Sequence, residues 1–375
     1  MSMVSAVDPV IIARADAFKL RLPLRKPVLM AGVRLEVSDT FVVRVESTKG
    51  VVGWGEANAA PSHGGSSLDD MGVAFEEGMA HRLRGENALH LSAISRRLEE
   101  GLERGFSAAS AVDMALHDLV GHALGVPAYV LLGGRRRDAV SALWLVGTGN
   151  TEGDLAEARR LVAEGYHFFK LKVGVRPVQE EIDLAVALRG AIGNEVRLCA
   201  DANMGMDADQ AIAYAEGVRG ARLEFLEQPL RKDDRDGLRK LVAMQALDIG
   251  LDESVVSVQH IVDHVPDGIR GVSLKTLKLG GMSGVVAVAN VCAALGLKLN
   301  LAGKIAETGI ASAALLQLAA VVPTVDWGVS PSHLFLAEDI VLDPPQPRQG
   351  RYTIPSAPGL GVTVDLQKLE RWCVH

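Results

Sequence analysis

Residues 166–175 read YHFFKLKVGV, and two lysines one residue apart, Lys170 and Lys172, sit in a run otherwise built for burial. Alternate residues of a strand share a face, so both ammonium groups point the same way. Charges on an edge strand discourage aggregation, but the flanking Phe168, Phe169 and Val173 argue for an interior strand. Two charges there need partners, because an unpaired buried charge is costly.

Around this stretch the chain alternates strand-like and helical segments. Eight candidate strands run from AVSALWLVG through HFFKLKVG, VRLCAD, LEFLEQ, DIGLDE, IRGVSLKT and LKLNLAG to TVDWGV. Helical patterns lie between them, for instance over 153–165, 178–191, 207–219 and 283–295. Strands joined by crossover helices make a parallel sheet, and eight at this spacing point to a TIM-like (β/α) barrel over an open doubly wound sheet. Before residue 138 the rhythm differs. DTFVVRVES and GVVGWGEA alternate with period two around a Lys49-Gly50 turn, and helical patterns follow over 67–84, 88–103 and 107–124. Strands followed by helices indicate an α+β domain. The expected division is an α+β domain over 1–135, a barrel over 136–330, and a segment 331–375 that returns to the first domain.

The bulk properties narrow the function. The 375 residues are 48% hydrophobic but only 4% aromatic, which suits buried strands faced by helices. A net charge of −7 argues against a nucleic-acid partner. Cys199, Cys292 and Cys373 are too scattered for a disulfide framework. The first residues lack the apolar core of a signal peptide, and no run approaches the ~18 apolar residues of a membrane helix. A cytoplasmic protein that handles small molecules, with no membrane partner, is the expectation.

Barrel chemistry sits at the C-terminal ends of strands. The last polar residues of successive strands are Lys172, Asp201, Glu227, Asp252 and Lys275, each about one βα unit after the last. Three carboxylates on one rim repel one another. A divalent cation resolves this, and the all-oxygen set Asp201, Glu227 and Asp252 suits Mg²⁺ or Mn²⁺ better than zinc. Lys170 beside Lys172 would disfavour its charge and tune it as a base, while Lys275 would face Lys172 across the ion. Lys278 reads as a loop residue past the strand end. VGTGNTEG misses the dinucleotide fingerprint by one residue, and its next strand ends in lysines, so a dehydrogenase is rejected.

FKLKVG, ADAN, FLEQPL, LDES and LKTLKLGG, in this order, resemble the muconate-lactonizing subgroup of the enolase superfamily, and DMALHDLVGHALGVPAYVLLGG resembles that family's lead-in to the barrel. The resemblance implies an α+β capping domain on a (β/α)7β barrel, Mg²⁺ on the three carboxylates, and Lys172 and Lys275 as an acid/base pair. It implies removal of a proton α to a carboxylate to give an enediolate, and a homo-oligomer. Strand seven ends LNLAGKIAETG without histidine, unlike mandelate-racemase relatives. Two opposed lysines make a racemase or epimerase of an amino-acid derivative the first expectation. A muconate-type cycloisomerase and a syn-dehydratase are the alternatives. The dipeptide-epimerase Asp-x-Asp is missing from TVDWGVSPSHLF, where Asp326 and Trp327 remain as candidate substrate contacts, Trp327 through cation–π packing. Specificity would come from loops near 20–32 and 54–66. His63 in the second reads as a surface histidine rather than a substrate contact, and Asn203 as a support for the site.

Overall fold

The change of rhythm near residue 138 separates two sheets in the computed structural model, which describes residues 8–30, 33–100, 105–147 and 150–374. The first sheet is antiparallel: β1 (Ile12–Met30), β2 (Val33–Ser47) and β3 (Val52–Asn58), in that order. Residues 20–30, expected as a loop, continue β1 with a register shift between Pro23 and Val28, and residues 31–32 lie outside the described set. Gly50, with φ of +78°, turns the chain from β2 into β3.

The helix Ser107–Leu124 lies against β3, and β3 has glycine where the two meet. A Cβ on Gly55 would stand 1.9 Å from the Ala111 carbonyl oxygen, and one on Gly53 would stand 2.3 Å from the Ala115 carbonyl oxygen. Only a bare backbone lets the helix come this close. The same helix reaches the second sheet's layer. Asp113 Oδ2 accepts from the backbone N–H groups of Met282 (2.6 Å) and Ser283 (3.2 Å), at the start of the helix Gly281–Ala294. An acidic side chain on those otherwise unpaired N–H groups anchors one layer to the other.

The second sheet is a parallel ring: β5 (Trp144–Val146), β6 (Phe168–Lys172), β7 (Arg197–Asp201), β8 (Phe225–Glu227), β9 (Asp248–Leu251), β10 (Gly271–Leu274), β11 (Lys298–Ala302) and β12 (Val329–Ser330), following β4 (Ala139–Ser141). Neighbours in the sheet are neighbours in sequence. The ring closes through the parallel bridge Ala142–Val329, with Leu143 N–H donating to the Val329 carbonyl at 2.8 Å. The fold is thus a barrel of eight parallel strands with an antiparallel sheet as its cap.

The stretch AVSALWLVG divides in two. Its first half, β4, pairs antiparallel with β13 (Arg351–Thr353), and only its second half enters the barrel. TVDWGV contributes to the sheet only from Val329 onward, so Asp326 and Trp327 precede the strand. Trp327 fills the barrel's interior, stacked on Phe225 with ring centroids 3.9 Å apart, beside Leu143, Phe168 and Cys199. Gly250 and Gly271 make room for it, since a Cβ on either would fall within 2.5 Å of the indole. The C-terminal helix Leu366–Trp372 packs near β1, where Val374 N–H donates to the Lys19 carbonyl at 2.8 Å. No helix among the described residues is long and apolar enough to cross a membrane.

Candidate active site

Strand register brings the charged strand ends together. Lys172 pairs with Asp201, and Asp201 with Glu227, across β6, β7 and β8. Asp252 follows the last residue of β9, and Lys275 follows the last residue of β10. Because β6 lies between β5 and β7, its lysines are interior and not edge charges. All of these side chains are buried.

Each carboxylate is met by an ammonium. Lys172 Nζ donates to Asp201 Oδ2 at 2.6 Å and to Asn203 Oδ1 at 2.5 Å. Lys170 Nζ donates to Glu227 and, at 3.1 Å, to Asn300 Oδ1. Lys275 donates to Asp252, and Lys278 donates to Asp252 Oδ1 at 2.6 Å and to its carbonyl. Burial alone would raise Asp201 and Asp252, but Lys172 and Lys170 outweigh it at the first and Lys275 and Lys278 at the second, and both are held below the usual carboxylate range. Glu227 goes the other way. Burial, reinforced by Asp201 and Asp252, pushes it up against Lys170.

Those mutual repulsions show three acids sharing one electrostatic neighbourhood. As the side chains stand, no three acidic or imidazole groups among the described residues are close enough together to hold one ion; each is turned onto its lysine. The donor set nevertheless fits a hard divalent cation. It is all oxygen, buried, and comes from three successive strands at one end of the barrel, which is how oxygen-ligated Mg²⁺ or Mn²⁺ is held.

The loops after the carboxylates are tied to one another. Asn203 and Gln228, just beyond β7 and β8, adopt positive φ of 43° and 36°, a cost that clusters at functional sites. Asn203 N–H donates to Asp201 Oδ1 (3.0 Å), and its amide donates to Glu253 Oε1 (2.9 Å). Gln228 Oε1 accepts from the N–H groups of Asp252 (3.0 Å) and Ser254 (3.1 Å). Gln228 therefore fixes the backbone that carries Asp252, a role hidden in FLEQPL when only its glutamate is read.

The strand ends open into a pocket lined by Lys170, Lys172, Asp201, Glu227 and Lys275, with His63, Lys304 and Ser330 also lining it. A concave site with a few convergent polar groups is where a small molecule binds. Several expectations change here. His63 is not a surface residue; it is 8% exposed and faces this pocket, and burial together with Lys304 lowers its pKa to about 4. Lys278 lies past the end of β10 as expected, but there it is a buried partner of Asp252. Lys170 is held charged by its own partners: burial opposes its charge, but Glu227 and Asp201 more than compensate and raise its pKa. Asp326 and Trp327 are not brought to the site. They precede β12, near the start of its strand, and border an open hollow with Arg137, Arg197 and Lys298. Since TVDWGV supplies only its last residue to β12, the strand end falls at Ser330, where the chain offers a hydroxyl.

Lys304, two residues past β11, also lines the pocket, and no strand-end rule points to it because it lies beyond the strand. The rule also misses Glu56 and Glu307, buried carboxylates that burial pushes up to about 7 and about 8, with Asp339 adding to the first and Glu56 to the second.

A closed parallel barrel capped by an antiparallel sheet, with lysines and carboxylates on successive strand ends, defines an isomerase of the enolase superfamily. The chain belongs to that family: residues 13–133 match the mandelate racemase / muconate lactonizing enzyme N-terminal domain, and residues 154–368 match the enolase C-terminal domain-like family. It is 31% identical over 370 residues to muconate cycloisomerase 1 of Pseudomonas putida, covering 97% of this chain and 98% of that protein. It is 29% identical to a chloromuconate cycloisomerase of Cupriavidus pinatubonensis, covering 94% and 95%. The muconate lactonizing enzyme of Pseudomonas fluorescens, solved with muconolactone, superposes with a TM-score of 0.93 at 28% identity over 98% of this chain and 100% of that one. An N-succinyl Arg/Lys racemase of Bacillus cereus superposes with a TM-score of 0.91 at 23% identity, a likeness of fold alone.

Proposed function

We propose that this chain is a divalent-metal-dependent cycloisomerase of the muconate type, which closes an unsaturated dicarboxylate into a lactone. The racemase first expected from the two lysines gives way, because the relatives similar over the full length are named for cycloisomerisation. The observation that carries the proposal is the full-length likeness to muconate and chloromuconate cycloisomerases, and it is supported by Lys172 on β6 and Lys275 at the end of β10 facing one pocket with Asp201 and Glu227.

In the reaction, one carboxylate oxygen adds to the far carbon of a double bond. The new C–O bond forms as the π bond breaks, and its electron pair passes to the α-carbon and the second carboxylate. A lysine ammonium then gives its proton to that α-carbon, and the lysine pair offers a donor on each face. Asp201, Glu227 and Asp252 would hold the cation, which supplies a Lewis acid facing the carboxylate where negative charge develops. Lys170, locked between Glu227 and Asn300, holds Glu227 in place, and the Asn203 amide and Gln228 fix the loops.

The test is incubation with cis,cis-muconate and Mn²⁺ in D₂O. Loss of diene absorbance with one deuterium at the α-carbon of the lactone is expected; an unchanged spectrum at high enzyme concentration contradicts the proposal. The opposed lysines equally suit racemisation of an N-acylated amino acid. Loss of optical rotation with α-deuteration of such substrates, and no muconate turnover, would select that second reading.

A further inference from the structure

The lysines at the strand ends are all engaged, but one at the pocket is not. Lys304 is 8% exposed, and its backbone N–H donates to Glu307 Oε1 at 2.8 Å, yet its Nζ makes no hydrogen bond or ion pair with any described residue. Glu307 is a poor counter-ion, because burial and the charge of Glu56 push it up to about 8. Beside Lys304 in the same pocket, Ser330 Oγ is buried without a partner, and the His63 ring makes no hydrogen bond to any described residue. Unpartnered buried polar groups are rare, and several converging on one cavity mark a place where a ligand completes the set.

We propose that Lys304, with Ser330 Oγ and His63 beside it, is the receptor for a second carboxylate of the substrate, carried several bonds from the one held at the strand ends. The inference rests on the reading of this pocket as a carboxylate site and adds to it the residues that select a diacid over a monoacid. Lys304 also lines the outer groove formed with Ser38, Asn58 and Ser62. Burial and the charges of Lys275 and Lys172 lower its pKa to about 8, which leaves it mostly cationic at neutral pH and short of a counter-charge. An arriving carboxylate supplies that charge. His63, with its pKa near 4, is neutral there and adds one hydrogen bond without charge.

The test is calorimetric titration of the Mg²⁺-loaded enzyme with adipate and with hexanoate, a six-carbon diacid and monoacid that need no turnover. Wild type is expected to bind adipate at least about 10-fold more tightly, the scale of one hydrogen bond to a charged group. Lys304→Met should bring the two acids to within about 2-fold, and Lys304→Arg should keep the preference. Circular dichroism of Lys304→Met and Lys304→Gln checks the fold, and Ser330→Ala should reduce the preference in part. Equal affinities in wild type, or a preference that survives Lys304→Met, would overturn the inference. If muconate is not turned over while the adipate preference depends on Lys304, the reaction assignment fails and the receptor stands. If muconate is turned over and Lys304→Met leaves KM unchanged, the receptor fails and the reaction stands.

Discussion

Replacing Lys304 with methionine should make the protein more stable, and the gain should shrink as pH rises. The side chain is nearly buried, without an ion pair among the described residues, and its pKa falls from the ordinary 10.5 to about 8. At 1.36 kcal/mol per pKa unit, holding the charged form in the fold costs about 3 kcal/mol. The sign follows from proton counting. Between the folded value near 8 and the unfolded value of 10.5 the unfolded chain binds more protons, so stability rises with pH across that window. The groups that set this value besides burial are Lys275, Lys172, Glu307 and Glu253, and subtracting variant from wild type at each pH removes their own titrations to first order. Urea unfolding in metal-free buffer should show Lys304→Met ahead by about 3 kcal/mol at pH 7, and by about 1.5 kcal/mol at pH 9.5. A variant less stable than wild type at pH 7, or a difference independent of pH, would refute the reasoning. A gain in stability paired with a loss of diacid binding is the usual trade-off at a functional site.

Other perturbations have equally direct outcomes. Asp252→Ala strands Lys275 and Lys278 in the interior, and urea unfolding should show a loss of about 3–5 kcal/mol, the range for breaking a buried pair. Gly55→Ala sets a methyl against the Ala111 carbonyl and should cost at least about 1–3 kcal/mol by thermal melting. Lys172→Ala and Lys275→Ala should each lower turnover, and the face of deuterium delivery in whichever variant retains activity identifies the proton donor. Asp326→Asn should leave kcat/KM unchanged, because Asp326 lies away from the pocket.

The barrel was legible because a parallel strand repeats its pattern with each crossover, and because charge in an apolar strand is conspicuous. Lys172, Asp201, Glu227, Asp252 and Lys275 were found by that rule alone. What escaped depended on where a strand stops. Asp326 and Trp327 were placed at the end of strand eight, but the chain enters the sheet only at Val329, so the residue at the pocket is Ser330. The pairing of Lys278 with Asp252 escaped because the two come from different strands' ends. The partner of Lys170 proved to be Glu227; sequence spacing gives the face of a side chain but not the group across from it. His63 is buried and shares its pocket with Lys304, a residue distant in sequence.

Asp201, Glu227 and Asp252, from successive strands, are proposed to act as one cation site. Electron paramagnetic resonance titration with Mn²⁺ measures this directly, without substrate. One Mn²⁺ per chain in wild type is predicted, weakened at least about 10-fold by each of Asp201→Asn, Glu227→Gln and Asp252→Asn, and unaffected by Asp326→Asn. Wild-type affinity in all three carboxylate variants would contradict it.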